Sequence, residues 1–128
     1  MNDIVLVSGG FDPVHSGHIK LIKEASKYGE VIVLLNSDLW LREKKGKEFL
    51  PYKEREIIMM AIKNVIDVIS FDDKDKTCID GLKKAILKYP AKNIKFANGG
   101  DRNDDTTPET IFCQKNNKFC KHSSPQIL

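Results

Sequence analysis

Cysteine is scarce in this chain: Cys78, Cys113 and Cys120 are odd in number and show no CxxC spacing. That pattern argues against a disulfide framework and against a cysteine-rich zinc site, and it fits reduced thiols in a cytosolic protein. No apolar run approaches the roughly 20 residues that a membrane helix needs. The opening residues, Met1-Asn2-Asp3, lack the basic-then-apolar layout of a signal peptide, so the expected location is cytoplasmic. Charge of one sign is also in short supply, with a net charge of +3, and aromatic residues make up only 8%. A general nucleic-acid binder would carry a stronger basic bias with interleaved aromatics. A mild positive excess does suit a site that must attract a polyanion such as a triphosphate. There is no internal repeat and no low-complexity linker.

The 128 residues amount to one domain. Strand-like and helix-like segments alternate along them. Asp3 to Ser8 is a short apolar run of the kind that forms a buried parallel strand. From Gly17 to Tyr28, Leu21, Ile22, Ala25 and Tyr28 recur at helical spacing, and Gly29 ends that helix. Glu30 to Asn36 reads as a second strand, and Ser37 to Leu50 as a polar, lysine-rich connection with room for one helical turn. Tyr52 to Val65 reads as a helix with Ile58, Ala61, Ile62 and Val65 on its core face. A strand over Asp67 to Phe71, a helix over Thr77 to Lys88 and a fourth strand over Ile94 to Ala97 follow. Thr106-Thr107-Pro108-Glu109 opens a last helix, and Lys118 to Cys120 is a curtailed fifth strand. The order predicts a single-domain α/β fold: a Rossmann-like parallel sheet of about five strands with helices on both faces. In such sheets ligands bind beyond the carboxyl ends of the strands, where the strand order reverses.

The first such loop carries the chemistry. In Gly9-Gly10-Phe11-Asp12-Pro13-Val14-His15-Ser16-Gly17-His18, two glycines after a strand allow close approach of backbone to ligand. His15 and His18 straddle the start of a helix, where free N–H groups and the positive dipole end make a ready phosphate site. Two imidazoles there can donate to phosphate oxygens. Spacing alone leaves two structural alternatives, a capping His beside a surface His, or a zinc site. Zinc would need a further ligand, and the remaining histidine is the distant His122.

Gly10-Phe11-Asp12 followed by His15-Ser16-Gly17-His18 resembles the signature of the cytidylyltransferase-like nucleotidyltransferases, whose phosphate-binding motif is HxGH. That family includes glycerol-3-phosphate and choline-phosphate cytidylyltransferases, heptose-1-phosphate adenylyltransferases and pantetheine-phosphate adenylyltransferases. The resemblance implies that His15 and His18 hold NTP phosphates, with Gly9, Gly10, Phe11, Asp12 and Gly17 beside the nucleotide. Asp12 has the alternative of bracing the turn. Lys44 matches best the family's phosphate-contacting lysine, with Lys45 and Lys47 as neighbours and Lys47 a candidate substrate contact. Tyr52-Lys53-Glu54-Arg55 resembles the family's Y-x-x-R; Arg55 supports the site, contacts the acceptor's phosphate, or instead pairs structurally with Asp67. Asn98-Gly99-Gly100-Asp101 resembles the GGD turn of the sugar-phosphate adenylyltransferase branch, with Asn98, Gly100 and Asp101 at base or ribose.

One family motif is missing. Many relatives carry R-T-x-G-x-S-T-T near the C-terminus; here the chain is shortened after about residue 117 and Ser123, with Ser124, Lys121 and His122, is the nearest remnant. The implied reaction moves CMP, or AMP, from CTP or ATP to a phosphorylated small molecule such as glycerol 3-phosphate or a sugar phosphate, with release of pyrophosphate. Mg²⁺ would travel mainly on the NTP phosphates, without a dedicated metal site in the chain. A homodimer is the assembly common among relatives. The missing motif leaves a nucleotide-binding protein without turnover as the alternative.

Overall fold

The computed structural model describes residues 3–90 and 92–97. Eight elements follow in order: β1 (Asp3–Gly9), α1 (Ser16–Ala25), β2 (Glu30–Leu35), α2 (Asp38–Lys45), α3 (Tyr52–Met60), β3 (Val65–Ser70), α4 (Ile79–Lys88) and β4 (Asn93–Ala97). The strands form one parallel sheet in the order β3-β2-β1-β4. β1 lies at its centre, paired from Ile4 with Glu30 to Gly9 with Leu35 on one side, and from Asp3 with Asn93 to Val7 with Ala97 on the other. The sheet has four strands among the described residues, and the expected fifth segment lies outside them.

Strand alternation divides the core into two layers. Ile4, Leu6, Ile32, Leu34, Ile94 and Phe96 face α4, which contributes Leu82 and Ala85. Val5, Val7, Val31, Val33 and Leu35 face the opposite way, against Ile22 and Ala25 of α1 and Met59 of α3. Burial on both faces explains why β1 and β2 read as continuous apolar runs rather than alternating ones. Gly29 lets the chain enter β2 tightly against β1, because a Cβ there would stand 2.6 Å from the Asp3 carbonyl oxygen.

Three elements depart from their expected form. α1 stops at Ala25, and Tyr28 lies beyond it, 45% exposed. The lysine-rich connection is a true helix, α2. Ser37 caps it by accepting from the Trp40 N–H at 3.1 Å, Asp38 sits in its first turn, and Arg42, Lys44 and Lys45 sit in its last. Caps and dipole matching support it, while a single buried residue, Leu41, leaves no apolar periodicity to read. α3 ends at Met60 rather than Val65, which instead opens β3. Its inward face also differs: Arg55 and Met59 are buried and Ile58 is exposed, so the helix is turned to bring a guanidinium inward.

Candidate functional site

The chain steps outward from β1 through β2 to β3, then returns to place β4 on the other side of β1. The strand order therefore reverses between β1 and β4, and the turn leading into α1 opens beside that point. A cavity of about 480 Å³ lies there. Its walls are Gly9, Gly10, Phe11 and Asp12 of the turn, His15 and His18 of α1, and Trp40, Leu41, Lys44 and Lys45 of α2.

The two histidines form a reciprocal cap. His15 precedes α1 with extended backbone, and its Nδ1 accepts from the Gly17 N–H at 3.0 Å. The His18 Nδ1 in turn accepts from the His15 N–H at 3.1 Å. The arrangement is that of a capping box, with imidazoles in place of the usual hydroxyl and carboxylate. The rings stack with centroids 3.9 Å apart, and Phe11 meets His18 edge-on at 4.8 Å. Because each Nδ1 accepts, the neutral ring must carry its proton on Nε2. Neither Nε2 has a partner among the described residues, so both N–H groups remain for a ligand. Burial, and then the neighbouring His15, pushes the His18 imidazole pKa below its ordinary value, which favours this neutral donor form. Gly17 is required between them: a Cβ there would stand 2.9 Å from His15 Cε1.

Buried polar groups hold the turn against its neighbours. Phe11 adopts φ +48, an unfavourable backbone region for a bulky residue. Asp12 accepts from the Phe49 and Leu50 N–H groups, each at 2.6 Å, and pairs with Lys45 at 2.8 Å. Burial opposes its charge, yet Lys45 and the two N–H groups hold its carboxyl below the usual range. Asp12 thus braces the turn across to the segment after α2 rather than within its own turn. Arg55 is 1% exposed. Its Nε donates to the Leu50 carbonyl, Nη1 to the Gly10 and Asn36 carbonyls, and Nη2 to Asp38 at 2.6 Å. The alternative pairing with Asp67 does not occur; that carboxylate accepts from Lys88 and the Tyr89 hydroxyl. Arg55 does not line the cavity, and its donors tie together the loops around it. Asp73, also buried, accepts from Asn36 Nδ2, the Ser37 N–H and the Ser37 hydroxyl, fixing the start of α2.

α2 supplies the third wall. Gly10 lets it close in, since a Cβ there would stand 2.6 Å from Leu41 Cδ2. Lys45 is held by Asp12, whereas Lys44 lies over the Trp40 ring with Nζ 4.7 Å from the centroid. Lys47 is exposed and outside the cavity lining. Asn98, Gly99, Gly100, Asp101, Ser123, Lys121 and His122 lie outside the described residues. Sequence reading missed Trp40 and Asp73. The signal for Trp40 was present, since the single Trp stands four residues before Lys44, one helical turn away once α2 is a helix.

The described profile "Cytidylyltransferase-like" matches residues 6–114. The chain belongs to the cytidylyltransferase-like family. As a member it is a nucleotidyltransferase-type domain with a Rossmann-like parallel sheet. Among curated proteins it is 35% identical over 112 residues to the bifunctional protein HldE of Syntrophotalea carbinolica, covering 84% of this chain and 20% of that one. It is 40% identical over 88 residues to HldE of Geobacter metallireducens, covering 66% and 18%. The chain thus spans about a fifth of the length of these relatives. Among solved structures, the lipopolysaccharide core biosynthesis protein of Thermoplasma volcanium superposes with a TM-score of 0.68 at 22% identity, covering 94% of this chain and 96% of that one. No helix among the described residues is long and apolar enough to cross a membrane.

Proposed function

We propose that this cytidylyltransferase-like domain is a sugar-phosphate adenylyltransferase, moving AMP from ATP to a sugar phosphate with release of pyrophosphate. The observation that carries the reading is the stacked imidazole pair at the start of α1, with both Nδ1 atoms engaged by backbone and both Nε2 atoms left for a ligand. Two N–H donors at a helix N-terminus suit polyphosphate oxygens. Family membership and the HldE relatives support nucleotidyl transfer. The resemblance of Asn98-Gly99-Gly100-Asp101 to the sugar-phosphate adenylyltransferase turn favours ATP over CTP.

In the proposed reaction an oxygen of the acceptor's phosphate attacks the α-phosphorus in line, and the bond to the bridging oxygen of the β-phosphate breaks. Pyrophosphate leaves with the electron pair. The acceptor phosphate is already ionised, so alignment and charge stabilisation suffice, as in other phosphoryl transfers. His15 and His18 donate to phosphate oxygens and Lys44 supplies positive charge beside the reacting group. Among the described residues, Asp12 is the one carboxylate lining the cavity, and both of its oxygens are taken by N–H groups and Lys45. Among the described residues, the donors fit a Mg²⁺ that travels on the nucleotide's phosphates. When bound, it would neutralise charge on the leaving phosphates.

A pyrophosphate-release screen of four NTPs against sugar and polyol phosphates tests this reading. Turnover with ATP and a sugar phosphate is expected. Turnover only with CTP and polyol phosphates would overturn the donor and acceptor assignments. Saturable NTP binding with no pyrophosphate from any pair would overturn catalysis itself.

A further inference from the structure

α2 presents a cation and an aromatic ring to the cavity as a unit. Among the described residues, the lysines lining the cavity are Lys44 and Lys45. Lys45 is committed to Asp12, through the carboxylate at 2.8 Å and the carbonyl at 2.7 Å. Lys44 forms no ion pair among the described residues and rests on the Trp40 face, 4.7 Å from the ring centroid. The indole lies beside Gly10, where a Cβ would stand 3.5 Å from Trp40 Cζ3. Its backbone N–H is tied to the Ser37 cap, and its Nε1–H has no partner among the described residues.

We infer that Trp40 is a specificity-determining residue of the acceptor subsite, stacking its indole on the ring of an aldose phosphate whose phosphate group takes Lys44. This inference rests on the adenylyltransferase reading above. Its logic is electrostatic. Two anions must meet in the cavity. The imidazole pair and the start of α1 provide neutral N–H donors for one, and Lys44 is, among the described residues lining the cavity, the uncommitted cation for the other. A phosphate that draws the ammonium off the indole uncovers the ring face beside that same phosphate. Whatever is bonded to the phosphate then lies against the ring. An aldose 1-phosphate offers an apolar C–H face at that distance and hydroxyls that the Nε1–H can reach. A linear polyol phosphate or inorganic phosphate satisfies Lys44 but leaves the indole bare. Exchange of a cation–π contact for a charge-assisted hydrogen bond plus stacking favours the ring-bearing ligand.

Trp40 is the single tryptophan of the chain, so its emission reports directly on this contact. The experiment titrates the full chain, without ATP, with glucose, mannose and heptose 1-phosphates, glycerol 3-phosphate, inorganic phosphate and α,β-methylene-ATP. A saturable emission change with at least one aldose 1-phosphate, beyond that given by inorganic phosphate or glycerol 3-phosphate, is expected. In turnover assays Trp40→Ala should raise the acceptor KM about tenfold with kcat and the ATP KM little changed, and Trp40→Phe should restore it. Equal thermal unfolding of the two variants excludes a packing defect. The inference is overturned if aldose 1-phosphates leave the emission unchanged, if the ATP analogue alone reproduces the change, or if Trp40→Ala leaves the acceptor KM as it was. Loss of the broader reading looks different: no pyrophosphate from any acceptor, whatever the emission does.

Discussion

Arg55 and Lys44 stand on neighbouring helices beside the same cavity, and both were phosphate-contact candidates in sequence. Their surroundings separate them. Arg55 is buried beneath the loops, and its donors are shared among three backbone carbonyls and Asp38. Lys44 lies at the rim against an aromatic face, with no carboxylate beside it among the described residues. A guanidinium is suited to the first task because its planar fork satisfies several acceptors at once; a flexible ammonium is suited to the second. The same division runs through the whole site. Asp12, Asp73 and Arg55 are enclosed and fully paired, and they set geometry. His15, His18, Trp40 and Lys44 keep donors or a ring face without a partner among the described residues, and in the proposed reaction they are the groups that meet ligand.

The contrast can be broken at its buried end first. Arg55→Met should cost about 3 kcal/mol of stability, since it strands Asp38 and the Gly10 and Asn36 carbonyls. Urea denaturation reads that loss, and a fall in activity without a fall in stability would reassign Arg55 to the ligand side. His15→Ala or His18→Ala should lower the rate of pyrophosphate release at least about a hundredfold, roughly 2.7 kcal/mol, and loosen the cap by about 1 kcal/mol. An unchanged rate would remove their assigned role. Lys44→Ala should leave stability within about 0.5 kcal/mol while kcat/KM falls at least about tenfold. The smallest effect concerns pH. The His18 pKa is held below its ordinary 6.5, so the folded chain binds that proton less readily than the unfolded chain. Stability should be intact above pH 6.5 and decline as the pH falls below it, until the folded imidazole also protonates. Melting temperatures across that range, compared with those of His18→Asn, check the sign; a flat profile in the parent chain would contradict it. Asp12 loses its contribution only at lower pH, because its carboxyl lies below the usual carboxylate range.

Apolar runs and the HxGH segment made β1, β2, the start of α1 and the order of elements legible, because burial on both faces of a parallel sheet writes itself directly into sequence. α2 was not legible. Its support is a serine cap, an acidic first turn and a basic last turn, which contribute through backbone and dipole rather than through an apolar stripe. The inward face of α3 was misread because a buried arginine looks polar in sequence; only the carbonyls and carboxylate gathered around it make that burial tolerable. The same reasoning explains why sequence left Arg55 open between supporting the site, contacting the acceptor and pairing with Asp67. Its partners come from three separate loops, and sequence spacing does not record such convergence. Asp73 was invisible for the same reason, being 37 residues from Asn36, whose side chain it accepts.

The tautomers of the two imidazoles offer the most direct test. Long-range ¹H–¹⁵N spectra of the full chain near neutral pH should show both rings with an unprotonated Nδ1 and a protonated Nε2, and addition of α,β-methylene-ATP should shift both Nε2 signals while leaving Nδ1 nearly unmoved. A proton on either Nδ1, or Nε2 signals indifferent to the nucleotide, would contradict a polyphosphate grip built on this pair.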